Sequence, residues 1–484
     1  MRKNRFLAAM LTVLLLVGAC CGASAMPRLN PKAPVTVVVW HYYNGVQQQM
    51  FDRMVLQFNE TVGAERGIVV EAHSKGTIGD LTSGVLSALK QEAGASEPPH
   101  VFSAYADTAW QVNQMGFVAE LKDYLTEEEW GEYFSSYLKE GQFDEEGSVK
   151  LFPIAKATEL FLLNETAWDA FAAATGADKA KLSTWEGVAE TAKAYFEWTD
   201  AKTPDVDGDG QAFFGRDAFA NYMLIGSLQL GCEMFQVTDG QLTLGLDKDV
   251  LRRLWDNYYV PFVSGWYGAY GRFRSDDIKT GQIIALVGST SGALYFPSEV
   301  THDDGTTDAI ACGAYALPNF EGTEPTAVQQ GAGMVVLKSD EAHEYAATTF
   351  LKWFTQPEQN IEFAVSSGYL PVMHRASDWS VLENATNEKG LAENSVVRES
   401  LRVGVKITNG YRLYTNAAFE KGAQARQVVE NSMMDCAKAA LEKRQQLQQE
   451  GQSYQAALEA VISDEAFEAW YQEFSQALGA AVQP

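Results

Sequence analysis

Cysteine is scarce in this chain: five in 484 residues, two of them adjacent at Cys20 and Cys21. The other three, Cys232, Cys312 and Cys436, lie far apart in apolar or helical context. That spacing excludes a disulfide framework and a CxxC metal pair, and it reads as buried free thiols. Histidine is also sparse, with six residues, and no GxSxG, HExxH or P-loop motif occurs. Positive charge is short. Lys and Arg number 37 against 63 Asp and Glu, giving −26, or −29 once Arg2, Lys3 and Arg5 of residues 1–19 are set aside. A body that acidic repels phosphate backbones, which excludes nucleic acid as a partner. No apolar run of eighteen residues occurs beyond the N-terminus, which excludes a polytopic membrane protein. Internal repeats and low-complexity blocks are absent too.

What is present is core material. The chain is 46% hydrophobic and 12% aromatic, enough for one large or two ordinary domains. Residues 1–19 read as an export signal: the basic head Arg2, Lys3 and Arg5, then the apolar run Phe6 to Val17. The run ends in Leu16-Val17-Gly18-Ala19-Cys20, which resembles a bacterial lipoprotein lipobox. That resemblance implies cleavage before Cys20 and lipidation there, which holds the protein at a cell membrane on its extracellular or periplasmic face. Residues 20–34 then form a short tether. The alternative is an ordinary signal peptide cut at Ala23-Ser24-Ala25.

The body opens with the β-branched run Val35 to Trp40, a buried strand. Helical spacing follows over 46–62, then a strand at 68–72, a helix at 81–91 and a strand at 101–104. This βαβ rhythm predicts a parallel sheet. A second set follows, with strands at 151–154, 160–163, 283–287 and 310–315, and helices near 165–175 and 184–198. A strand at 333–337 comes next, and the longest helical stretches are 417–449 and 453–478. The expectation is an α/β protein of two lobes.

Four stretches carry a family resemblance: VVVWHYYNG, LFPIAKATELFLLN, KTGQIIALVGSTSGAL and FLKWFTQPEQNIEFAVSSGYLPV. Together they resemble the extracellular solute-binding proteins of ATP-driven (ABC) importers, family 1, the carbohydrate type, and within it the glycerol-3-phosphate binders. The resemblance implies a periplasmic-binding-protein-like fold, with each lobe a mainly parallel sheet flanked by helices and a ligand cleft between lobes. It places crossings near Ala155, Asn319 and Thr355. Lobe 1 is then 35–155 plus 320–355, and lobe 2 is 156–319 plus 356–484.

Candidate site residues follow from strand ends and from this resemblance. Trp40, His41 and Tyr43 follow the first strand, where aromatic faces stack on sugar rings, although Trp40 also suits a core and His41 a satisfied histidine. Lys75 and Asp107 follow the second and third strands, with Asp107 equally suited to capping a helix. The resemblance departs here, since Ile78 and Ala106 stand where the glycerol-3-phosphate binder has a tyrosine and a glutamate. Lys156 and Glu159 at the first crossing suit a charged, hydroxyl-rich ligand, or else an ion pair with each other. Trp266 is a further stacking candidate. Ser289 and Ser291 lie in a small-residue turn opening a helix, which suits an anion, a hydroxyl or plain capping. By resemblance, Gly331 allows close backbone approach to the ligand, Tyr369 is a binding tyrosine, and Arg412 meets a phosphate.

Asp205, Asp207 and Asp209, followed by Gly210, form the front half of a calcium loop, but Arg216 stands where its glutamate belongs. The alternatives are a structural calcium site and a solvated acidic turn; no other cofactor is expected. The overall expectation is a monomeric, lipid-anchored receptor, not an enzyme, delivering a sugar, polyol or phosphorylated polyol to ABC permease subunits. Two alternatives remain at this point. One is a secreted glycoside hydrolase, because carboxylate pairs are everywhere in so acidic a chain. The other is a ligand-sensing subunit of a membrane receptor.

Overall fold

The computed structural model describes residues 27–143, 147–238 and 241–483. The export segment, Cys20 and Cys21 lie outside them. Two four-stranded sheets organise the chain. The first contains β1 (Val35–His41), β2 (Ile68–Ser74), β3 (Val101–Ala104) and β9 (Gly333–Val336), in the order β9-β3-β1-β2. β1 runs parallel to β2 from Val35↔Ile68 to His41↔Ser74, and parallel to β3 at Val39↔Val101. β9 returns antiparallel on β3. Val37 and Val39 on one face are fully buried and Trp40 on the other is buried too, as a run covered on both faces requires.

The second sheet contains β4 (Glu159–Asn164), β5 (Phe214–Arg216), β6 (Ala285–Ser289) and β7 (Cys312–Ala316), in the order β7-β4-β6-β5. β5 and β6 are parallel, whereas β4 runs antiparallel to both β6 and β7. β4 enters from the first lobe, so its first residue lies at the edge where β6 ends: Glu159 pairs with Ser289. The strand expected at 151–154 is instead a single bridge, Phe152↔Met334. Pro153 has no N–H to extend a ladder there. The last helical stretch is broken between Glu459 and Asp464, where Ser463 caps the second piece. Cys232, Cys312 and Cys436 are unbridged. Among the described residues, no helix is long and apolar enough to cross a membrane.

Buried side chains mark where the chain crosses between lobes. Ile154, Ala155 and Ala157 join the core that holds Val37 and Phe51, while Phe161 joins the other. The second crossing falls later than Asn319, between Val328 in the second core and Met334 in the first. Thr355 is not a crossing. Its hydroxyl bonds Leu351 O and Tyr133 inside the first lobe, and Ile361, Phe363 and Leu382 beyond it stay in that lobe's core. Residues 356–400 were expected in lobe 2; their apolar side chains place much of that stretch on lobe 1.

The later crossing is made by helix α4 (Val396–Gly410), counted after α1 (Gly45–Phe58), α2 (Ala106–Gln114) and α3 (Phe219–Gln229). Leu401 and Val405 of α4 face the first core, and Val403 and Ile407 face a cluster with Leu160 and Leu286 of the second. One helix thus has two buried stripes and couples both lobes. After it, β10 (Arg412–Tyr414) runs parallel to β8 (Thr326–Val328), and the long helix α5 (Gly422–Gln449) packs on the second lobe.

Leu401→Ala and Ile407→Ala are each expected to lower stability by about 2–5 kcal/mol through cavity formation. Arg402→Ala, on the exposed side of the same helix, is expected to change it by less than about 1 kcal/mol. Urea unfolding monitored by tryptophan fluorescence checks the contrast.

Candidate functional site at the junction of the lobes

The carboxyl ends of β1, β2 and β3 and the edge where β5 and β6 end converge on the crossings. In β1, successive side chains point to opposite faces. That alternation sends His41 and Tyr43 toward α1, where both rings lie about 5 Å from Phe51. His41 is fully buried with no partner for either ring nitrogen. Burial, then the nearby His73, lowers its pKa to about 4. Trp40 is 5% exposed in a core with Leu81 and Phe102, and the Lys75 ammonium sits 3.9 Å over its ring. Trp40 and Lys75 therefore occupy each other. The residue of this run that reaches the junction is Tyr42: its hydroxyl lies 3.0 Å from that of Tyr369 and meets the Ala332 backbone.

After β3, Tyr105 is 44% exposed, and Asp107 is half-buried in the first turn of α2. Burial raises the Asp107 carboxyl to about 6, with Arg426 opposing and Glu140 adding to the shift. Arg426 belongs to α5 of the other lobe. Its Nη2 lies 3.5 Å from Asn221 Oδ1, and Asn221 Nδ2 donates to Glu159 Oε1 at 2.8 Å. Both Glu159 oxygens accept from Arg216 Nη2, at 3.0 and 2.9 Å. A charged chain therefore runs from Asp107 in one lobe to Arg216 in the other.

Lys156 and Glu159 are not paired with each other. Fully buried Lys156 donates from Nζ to Gly331 O at 2.8 Å and to the Glu140 carboxylate, which also accepts from Gln329 Nε2 at 3.2 Å. Gly331 serves the crossing itself. Its φ is +94°, and a Cβ there would lie 2.8 Å from Ala155 O, so only glycine lets these two crossing segments approach. Gly368, at φ +72°, does the same beneath Thr290 O.

The loop after β6 reaches back across the junction. Ser289 Oγ accepts from Gly292 N at 2.9 Å and lies 3.1 Å from Ser291 Oγ, so Ser289 caps the turn. Ser291 meets the Tyr369 hydroxyl, and its carbonyl accepts from Gln47 of α1 at 3.5 Å. Tyr42, Tyr369, Ser291 and Ser289 thus make one hydroxyl row across both lobes.

Other expected site residues lie elsewhere. Trp266 sits at the far end of β5, its carbonyl bonded to Phe213 N at 2.8 Å and its ring 5.8 Å from Lys193. Arg412 is exposed at the start of β10, bonded through its backbone to Pro325 O; the arginine beside Tyr414 and Asp107 is Arg426. In the acidic loop, Asp207 Oδ2 accepts from Tyr454 N at 2.8 Å and Asp209 Oδ1 from Thr203 Oγ1 at 2.6 Å. Among the described residues, no three acidic, His or Cys side chains are grouped to hold a metal. A cavity of about 650 Å³ lies beside His100 and Phe117, and one of about 570 Å³ between Tyr315, packed on the second core, and Trp379, packed on the first. Sequence reasoning missed Glu140, Arg216, Asn221 and Arg426.

His41 is neutral when folded and free to protonate when unfolded, so its contribution to stability falls as pH drops from 6.5 toward 4. His41→Phe removes that loss. The expected gain over wild type is roughly 2 kcal/mol larger at pH 5 than at pH 8, read from paired urea titrations.

Comparison with known proteins gives a consistent match. Residues 54–391 fit the family model described as bacterial extracellular solute-binding protein. Among solved structures, the chain is similar to the cyclic α-maltosyl-1,6-maltose binding protein of Arthrobacter globiformis, at 17% identity and TM-score 0.65, over 93% of this chain and 100% of that one. It is similar to the same degree and coverage to UgpB of Mycobacterium tuberculosis, solved with glycerophosphocholine. The GacH receptor of Streptomyces glaucescens, solved unliganded and with acarbose, matches at 13% identity and TM-score 0.63 over 92% of this chain and 98% of that one. No curated protein matches by sequence.

Proposed function

The chain belongs to the bacterial extracellular solute-binding protein family, and on that premise we propose that it captures a neutral, hydroxyl-rich solute, a carbohydrate or polyol, between its lobes for an ABC importer. The observation that carries this reading is the charge balance at the junction. Lys156 is matched by Glu140, Arg216 by Glu159, and Arg426 faces Asp107. These three cations are already neutralised, which leaves little attraction for a phosphate. What remains to meet a ligand is the hydroxyl row of Tyr42, Tyr369, Ser291 and Ser289, together with the exposed Tyr105. Hydroxyls that both donate and accept, beside an aromatic face, suit a sugar ring.

Closure follows from differential contact. A solute bound to one lobe gains further partners only when the other lobe arrives, so binding shifts the population toward the closed form. A phosphorylated polyol is the second reading. It rests on Arg412, whose exposed side chain is free to turn toward an anion. Hydrolysis is the reading least favoured by the geometry, because Glu159 and Glu140 are held by Arg216 and Lys156.

A thermal-shift screen against neutral oligosaccharides, polyols, glycerol-3-phosphate and glycerophosphodiesters tests this. Neutral sugars are expected to stabilise the protein, by about 2.7 kcal/mol at a hundredfold excess over Kd. Arg412→Ala should leave that shift intact and Tyr105→Ala should weaken it. A shift confined to phosphorylated ligands and lost in Arg412→Ala would replace the neutral-solute reading. Turnover of any sugar in the panel would replace the receptor reading.

The export segment supports a lipid anchor at Cys20 on the outer face of the membrane, and the family resemblance a monomeric receptor there. Cys20→Ala is expected to release the protein from membranes into the extracellular or periplasmic fraction, checked by fractionation and by intact mass of the mature N-terminus.

A further inference from the structure

The bridging helix α4 has a side turned away from the junction, and a cavity lies there. Gly404 faces the junction, against Thr290 and Leu370. Arg402, two residues earlier and so about 200° round the helix, faces the opposite way, with Arg398 one turn before it. Both line the cavity of about 570 Å³, whose other walls belong to different lobes. One wall is the edge strand β7 with Tyr315, and Glu165 just after β4; Tyr315 packs on the second core. The other is the helix Trp379–Glu388, whose Trp379 packs on the first core. Charges are matched on each side of this slot. Lys179 and the Tyr315 hydroxyl meet Glu165, Arg398 Nη2 donates to Glu383 at 2.9 Å, and Arg402 pairs with Glu399 on α4. Among the described residues, no hydrogen bond or ion pair joins the Tyr315 wall to the Trp379 wall.

We propose that this slot is a second solute site, taking a neutral saccharide between Trp379 and Tyr315, and that its occupation favours closure at the junction. Aromatic side chains on facing walls suit the apolar faces of sugar rings, and the volume is that of an ordinary small-ligand pocket. The matched charges disfavour an anion, and Glu393, with no cation partner among the described residues, does so further. Glu393, Asn394 and Arg402 are exposed at the rim and offer hydrogen-bond partners to sugar hydroxyls. Because α4 lies between slot and junction, rotating the lobes together at one spreads them at the other. A ligand that needs the slot open therefore favours the closed junction. By linkage, a solute at the junction strengthens binding in the slot by the same factor. The inference rests on the receptor reading for that coupling alone; the slot binds or fails to bind by itself.

Hydrogen exchange on the full chain tests both parts, with maltotriose and raffinose as probes. At least one of these sugars is expected to protect peptides covering 311–316 and 379–402. Trp379→Ala should abolish that protection. Glu393→Ala/Asn394→Ala, which alters only the exposed rim, should raise the half-protecting concentration at least about fivefold, the low end of ordinary site coupling. The same variants should raise it about as much for junction peptides covering 289–292 and 369–371, which none of the altered residues touches. Slot peptides left unprotected by both sugars, or protected alike in wild type and both variants, would overturn the proposal. Junction half-points that ignore the slot variants would overturn its coupling to closure. Protection in the slot with none at the junction would sink the receptor reading and leave the slot standing.

Discussion

Charge that is buried where two bodies meet constrains everything around it. An ion taken out of water costs several kcal/mol unless a partner of opposite sign accompanies it, and at a moving junction that partner must arrive in the right place each time. Here the problem is solved within short reach. Lys156 finds Glu140 and a crossing carbonyl, while Glu159 finds Arg216 and Asn221. Each pair is complete inside the crossing region or within one lobe. Closure therefore does not have to create or break a fully buried pair. The Asp107–Arg426 approach spans the lobes directly, and it lies at a half-buried position where water moderates its strength.

Apolar packing is arranged in the complementary way. Large buried clusters lie inside each lobe, and the apolar element shared between them is α4, with one stripe on each core. A rigid helix fixed to both bodies lets them rotate about it without exposing either core. The crossing segments beside it are held by backbone bridges, Ala157↔Gln330 and Lys156↔Leu370, with Gly331 and Gly368 admitting the close approach. Such a joint transmits a change in one lobe to the other through few degrees of freedom, as hinge motion requires.

Much of the architecture was legible in the residues. The β-branched run at 35–40 can only be a covered strand, and the alternation of strands and helices gives two α/β lobes. The site was legible in part. Tyr369, Ser289, Ser291 and Asp107 do lie at the junction. The aromatic run after β1 misled because a two-residue alternation decides which of four neighbours faces the cleft, and it selects Tyr42. The crossing that the resemblance placed near Thr355 differs because the apolar face of the following helix, with Ile361 and Phe363, packs back into the first lobe's core. Arg426 and Glu140 were invisible because nothing in a single sequence ties a helix at 426 to a loop at 107 or a lysine at 156. Tertiary contact alone makes that connection.

Selectivity can be argued from the same arrangement. A seam between lobes made of hydroxyls and amides costs little to open, because water replaces each partner as it leaves. An apolar seam would hold the closed form without a ligand and remove the energy difference on which capture depends. The row Tyr42, Tyr369, Ser291 and Ser289 meets that requirement: its hydroxyls bond one another now and can exchange those bonds for a solute's. A neutral polyol does so without disturbing the charge balance beside it. A phosphate must either displace Glu140 from Lys156 or Glu159 from Arg216, leaving a buried carboxylate unpaired, or find a cation outside those pairs. On the reading proposed above, the balance of buried charge, more than any one side chain, sets the preference of this junction for uncharged solutes.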